Sequence, residues 1–178
     1  MGYTHYWHSD NGKKPNEEII SKITSTLEHL YSHKNELFDS PPCDLAEEYI
    51  SPNNHPIFNS EEIRFNGLSE RGHETFLIDW NNLSDFDFCK TNQKPYDFWV
   101  VSALLIIKSE APEILDISSD GDKEEWDPIK EKLVNALAKA NIELNNLNTN
   151  TEIEFSEDGK IQLKSSALED EITFNSFF

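Results

Sequence analysis

The chain is expected to adopt an α+β fold, with a mainly antiparallel sheet packed against about three helices and a C-terminal β-hairpin. Three observations predict it. Short alternating or β-rich runs sit at 3–8, 62–66, 73–79, 114–118 and 151–164, too closely spaced for a purely helical protein. Three longer segments repeat apolar residues at helical spacing, near 16–33, 95–109 and 128–140. Strands at 62–66 and 73–79 are separated only by a glycine-bounded turn, which favours antiparallel pairing. With 178 residues and twenty aromatic side chains (four Trp, five Tyr, eleven Phe), there is ample material for one core, and a single α+β domain over 1–178 is the expectation. Within it, 1–140 forms the main body and 151–178 the hairpin with an added edge strand.

Taken in order, Tyr3 to His8 (YTHYWH) is aromatic and alternating, a strand with Tyr3, His5 and Trp7 on one face. Asn16 precedes EEIISKITSTLEHLYSHK and suits an N-cap, with two acids in the first turn. Ile19, Ile20, Ile23, Leu27, Leu30 and Tyr31 form its apolar face. His29 and His33 are four apart, a spacing also found in metal pairs, but no third ligand follows and no metal is assigned. From Phe38 to Asn59 four prolines interrupt a stretch without pattern, read as a long connection that is either a lid or binding segment or an insertion with no role.

The most apolar stretch lies in DFDFCKTNQKPYDFWVVSALLIIK, residues 85–108. Pro95 suits a helix start. Phe98, Val101 and Leu105 lie on one stripe and Trp99, Ala103, Ile106 and Ile107 on another, so this helix should be covered on most sides. Its apolar run is about half of the roughly 20 residues that cross a bilayer, so it reads as a core helix. Beyond it, Ile114–Ser118 is a strand, SSDGD a turn, and either Asp122 with Glu125 or Asp127 before Pro128 starts the last helix. TEIEF and KIQLK around SEDG make the hairpin, and EITFNSFF is assigned to an edge strand.

Charge limits the partners. Thirty-four acids against fifteen bases give a formal net charge of -19. Residues 1–100 hold 17 acids and 8 bases, and residues 101–178 hold 17 and 7, so the excess is not confined to a tail. Such a chain is repelled by nucleic acid and anionic lipid, and neither direct nucleic-acid binding nor membrane association is expected. The N-terminus is polar and aromatic, without the apolar stretch of a secretory signal, and Cys43 and Cys89 are the only cysteines. The expectation is a cytoplasmic protein with two free thiols.

MGYTHYW, IRFNG at 63–67, HETF at 73–76, DFCKT at 87–91, KPYD at 94–97 and SSDGD at 118–122 resemble, in this order, a family of small phage and prophage proteins. The likeness covers roughly residues 1–125. It implies a phage or prophage origin and work inside a bacterial host cell, and it transfers no reaction.

The polar residues of those blocks are the candidate site. Lys90 and Lys94 precede a helix N-terminus, where backbone donors and the helix dipole favour an anion. His73 is the expected acid–base residue, since imidazole titrates near neutrality. Ser119 and Asp120 would complete the ligand contacts from the 118–122 turn. Cys89 beside Lys90 has surroundings that lower a thiol pKa, against which stands a plain core role after Phe86 and Phe88. Asp120 and Asp122 lack the following acids of a full calcium loop. Two functions follow. One is binding, and by extension cleavage, of a small anionic nucleotide-like ligand in a pocket of His73, the 90–95 loop and the 118–122 turn, countering host defence. The alternative is an acidic, non-enzymatic protein that inhibits a host nucleic-acid-binding protein.

Overall fold

The computed structural model describes residues 2–49 and 53–165. The proposed edge strand at 171–178 lies outside the described residues. The described part is α+β, with all strand pairs antiparallel.

One sheet has the order β6–β1–β7, with β1 (Thr4–His8) between β6 (Asp87–Lys90) and β7 (Asp116–Ser119). Both outer strands run antiparallel to β1 and therefore parallel to one another. The crossover between them is the central helix α3 (Asp97–Glu110), and β7 leads directly into α4 (Lys123–Lys139). The N-termini of α3 and α4 thus follow the carboxyl ends of β6 and β7, flanking the start of β1. Alternation along β1 puts His5 and Trp7 on the core side and Tyr6 and His8 on the other.

A second sheet is centred on β4 (Glu62–Gly67), which pairs with β2 (Leu45–Ala46), β3 (Ile57–Phe58) and β5 (Phe76–Asp79). The expected β4–β5 hairpin is present, with Phe65 opposite Phe76. Strand β5 starts later than the sequence pattern suggests, because buried Asn66 diverts residues 73–75. Its Nδ2 donates to the His73 carbonyl and its Oδ1 accepts the His73 N–H at 3.0 Å. The described parts of the 38–59 connection, 38–49 and 53–59, are more structured than expected. It supplies β2 and β3 and buries Phe38, Cys43, Leu45 and Ala46. It is held from above by Tyr31, whose hydroxyl accepts the Leu45 N–H.

Helix α1 (Glu17–Ser32) is capped by Asn16, whose Oδ1 accepts the Ile19 N–H at 2.9 Å. A single turn, α2 (Lys34–Leu37), follows it. Helix α4 begins at the earlier of its two candidate starts, because Asp122 and Glu125 close a capping box; Pro128 lies inside the helix. Helix α3 begins two residues after Pro95, once the turn that bonds Lys94 N–H to the Thr91 carbonyl has reversed the chain. Every residue from Trp99 to Ile107 is fully buried, as two apolar stripes require. The hairpin of β8 (Thr151–Phe155) and β9 (Ile161–Ser165) packs on the α4 side, where Lys123 and Lys130 donate to the Ile153 and Thr151 carbonyls. No helix among the described residues is long and apolar enough to cross a membrane.

Candidate functional site

The region where β1 starts and α3 and α4 begin contains a chain of buried and half-buried polar side chains. His5, wholly buried, directs Nε2 at Asp97 Oδ1 (2.7 Å) and Nδ1 at Ser119 Oγ (2.9 Å). A carboxylate can only accept, so Nε2 carries the proton to Asp97 and Nδ1 accepts from the serine hydroxyl. Thr91 donates to the same Asp97 oxygen at 2.5 Å. The imidazole is boxed edge-on by Tyr3 (5.2 Å between centroids) and Trp126 (5.4 Å). Burial, and after it the charges of Asp97 and Glu125, raise the Tyr3 phenol above its usual pKa and keep it protonated.

Serine, histidine and aspartate in series suggest an acyl-transfer relay, but the surroundings of the serine argue otherwise. Ser119 Oγ already accepts from the Gly121 N–H (2.9 Å) and from Trp126 Nε1–H (3.3 Å) while donating to His5. Both lone pairs of the hydroxyl are therefore engaged. A side chain on Gly121 would collide with the Tyr3 hydroxyl, so the turn is packed to backbone contact there. The chain of bonds joins β1, the 90–95 loop, α3 and the 118–122 turn. Asn92 and Gln93, both left-handed at φ 52° and 54°, carry the loop across, and Gln93 Nε2 donates to Glu125 Oε1 at 2.8 Å. It is a latch between elements.

The residues expected from sequence divide between two places. Lys90, Ser119 and Asp120 border the start of β1, whereas Lys94 lies on the His73 side. Asp120 Oδ2 accepts the Thr4 N–H at 3.0 Å, and the Lys90 side chain runs over Gly2. His73 lies beyond the free edge of β6, next to Glu74, whose carboxylate accepts the Lys90 N–H at 2.7 Å. His73 and Lys94 share an open depression of about 500 Å³ with Tyr49, Glu70, Gly72 and Glu74; Ser119 and Asp120 do not line it. One lysine against two carboxylates leaves that depression acidic at neutral pH. Of the two readings of Cys89, the core role holds. Burial pushes its thiol up to about 12, the reverse of activation, and it sits in the core against the Glu74 carbonyl and the Tyr96 hydroxyl. Cys43 and Cys89 are both free.

The outer face of the β6–β1–β7 sheet was missed by sequence reasoning. Tyr6 stands opposite Phe88, and Phe86 stacks on Tyr6 with centroids 6.1 Å apart and 28° between planes. Phe86 and Phe88 are 59% and 48% exposed, two of three large apolar side chains so placed among the described residues. Alternation in FDF was visible, but it was read only as support for a buried cysteine. On the same face His8, Asp10 and Asp116 bring three potential cation ligands together. Lys160 Nζ, 2.7 Å from Asp116, offsets one of the two carboxylate charges there.

Comparison with protein-family models, with curated proteins and with solved structures returned no match.

Proposed function

We propose that the chain is an acidic, non-enzymatic interaction protein whose working surface is the outer face of the β6–β1–β7 sheet. The observation that carries this reading is the contiguous Tyr6–Phe86–Phe88 patch, exposed on a chain of net charge -19. Exposed aromatic clusters with a polar rim mark recognition surfaces, since leaving them in water is unfavourable unless a partner covers them. The resemblance to phage and prophage proteins adds an expected setting, the inside of a bacterial cell, where inhibition of a host nucleic-acid-binding protein suits the charge. The test is a photo-crosslinking amino acid placed at Phe86 and, as control, at the exposed Lys22 of α1, in bacterial cells. Discrete adducts from position 86 and none from position 22 are expected. Equal labelling from both, or none from 86, rejects the reading.

A second reading has one observation in its favour: His73 and Lys94 do line one depression. If this is an anion site, a thermal-shift screen with mono-, di- and cyclic nucleotides should raise the melting temperature of the wild type and not of Lys94→Ala. Because Glu70 and Glu74 flank the lysine, no shift for any nucleotide is the expected result.

A further inference from the structure

We infer that the partner segment which the outer sheet face takes is cationic and arginine-bearing, an inference that rests on the interaction reading above. The patch combines two features that a guanidinium satisfies together. Its centre is three rings: Tyr6 and Phe86 are near-parallel, and Phe88 lies 6.1 Å from Phe86. Its rim is acidic. Asp85 adjoins Phe86 and is exposed; Asp120, also exposed, touches the Tyr6 hydroxyl with both carboxylate oxygens, at 3.2 and 3.4 Å. Planar guanidinium stacks on aromatic faces and bonds carboxylates in a fork, whereas the compact, strongly hydrated ammonium of lysine does neither as well. Charge decides against the other occupants. A second copy of the chain brings another -19 to the same face, and a nucleic acid brings phosphates to it. The nearby cations do not reverse the sign, because Lys160 is held by Asp116 and Lys90 extends over Gly2.

The remaining polar clusters lead elsewhere. The His5–Asp97–Ser119 chain is spent on bonds between elements, and its serine hydroxyl is saturated. The His8–Asp10–Asp116 group borders the same outer face and adds to its negative rim. The buried Glu110 carboxylate is bonded to Asn145 by two hydrogen bonds at 2.8 Å. Among the described residues the aromatic face turns both stacked apolar rings and unneutralised carboxylates to water.

The experiment titrates the full chain with three synthetic nonapeptides in which glycine alternates with arginine, lysine or glutamate, followed by calorimetry and amide NMR. The arginine peptide is expected to bind about 5-fold more tightly than the lysine peptide, from guanidinium stacking, and the glutamate peptide not at all. Shifts should concentrate at residues 4–8, 85–90 and 118–120. Raising salt from about 0.05 to about 0.3 M should weaken binding, as screening shortens the reach of the rim. A Phe86→Ser, Phe88→Ser double variant should erase the arginine preference while keeping its circular dichroism spectrum. A separate Asp85→Asn, Asp120→Asn variant should weaken both cationic peptides. Equal binding of arginine and lysine peptides, unchanged in the aromatic variant, would reduce the effect to diffuse attraction and overturn the inference. So would no binding of any peptide. In either case the adducts from position 86 decide separately whether the face is an interaction surface at all: adducts without arginine preference sink the partner chemistry alone.

Discussion

Replacing Asp97 with alanine is expected to cost about 2–4 kcal/mol of stability, the loss typical of removing one partner from a buried, charge-assisted bond and stranding the other. Two donors lose their acceptor at once. His5 is wholly buried, its Nε2–H has no other partner among the described residues, and the Thr91 hydroxyl belongs to an equally buried residue. The imidazole is also held on its far side by Ser119, so it cannot rotate to water without breaking a second bond. Urea denaturation at neutral pH should show the midpoint falling with little change of slope. Asp97→Asn is the informative control, because its amide oxygen can still accept from both donors; it should lose about 1 kcal/mol, the scale of weakening a charged bond to a neutral one. An equal loss in the two variants would mean that the carboxylate acts through something other than these bonds. Crosslinking from position 86 should persist in Asp97→Asn, since the latch lies on the core side of β1 and the working face on the other.

The fold was legible where periodicity and capping agreed. Asn16 before an acidic first turn, Asp122 with Glu125, and the two apolar stripes of residues 98–107 each reflect a local rule with one physical solution, and α1, α4 and α3 follow them. The 38–59 segment was not legible, because its order comes from distant residues. Its prolines and lack of alternation hide two-residue strands that exist only because β4 and Tyr31 provide partners. The late start of β5 has the same origin: one buried amide, Asn66, claims the His73 backbone groups that a longer strand would have used.

The site was legible in part. The residue types of the latch were all among the polar residues of the blocks, and the 90–95 loop and 118–122 turn do lie on either side of the start of β1. What sequence could not supply is that His5, a residue in an aromatic strand, takes the central position, and that His73 faces another way. His73 stands out in the blocks as an imidazole that titrates near neutrality, but strand alternation cannot tell which of two histidines meets an acid brought in from 92 positions away. Cys89 shows the complementary limit. Nearness to a lysine in sequence suggests an activated thiol, whereas the strand turns Cys89 inward to the core and Lys90 outward over Gly2. The aromatic face was hidden for a related reason: FDF reads as core, whereas Phe86 and Phe88 are largely exposed, with no strand or helix of the described residues packed on them.

The largest loss of stability is expected at Trp99. Trp99→Ala should cost about 3–5 kcal/mol, the range for truncating a buried aromatic side chain, out of a typical total of about 5–15 kcal/mol. The indole is fully buried where α3 meets the other elements, with Tyr31, Phe38 and Phe98 around it at centroid distances of 5.5, 6.0 and 5.3 Å. It is also a polar anchor: Nε1–H donates to the Cys43 carbonyl at 3.0 Å and so holds the 38–59 segment against the helix. Alanine would open a cavity and leave that carbonyl buried and unpaired. Trp99→Phe separates the two effects, since it keeps most of the apolar volume and loses the donor. It should fall between wild type and alanine, and hydrogen exchange in Trp99→Phe should speed up at Leu45 and Ala46 ahead of the α3 amides. Leu105→Ala, one and a half turns further along the same helix, removes volume alone and should cost about 2–5 kcal/mol, without that selective exchange around β2. If Trp99→Phe exchanges uniformly, the indole N–H does not anchor the segment, and the ordering of 38–59 must rest on Tyr31 and the pairing with β4.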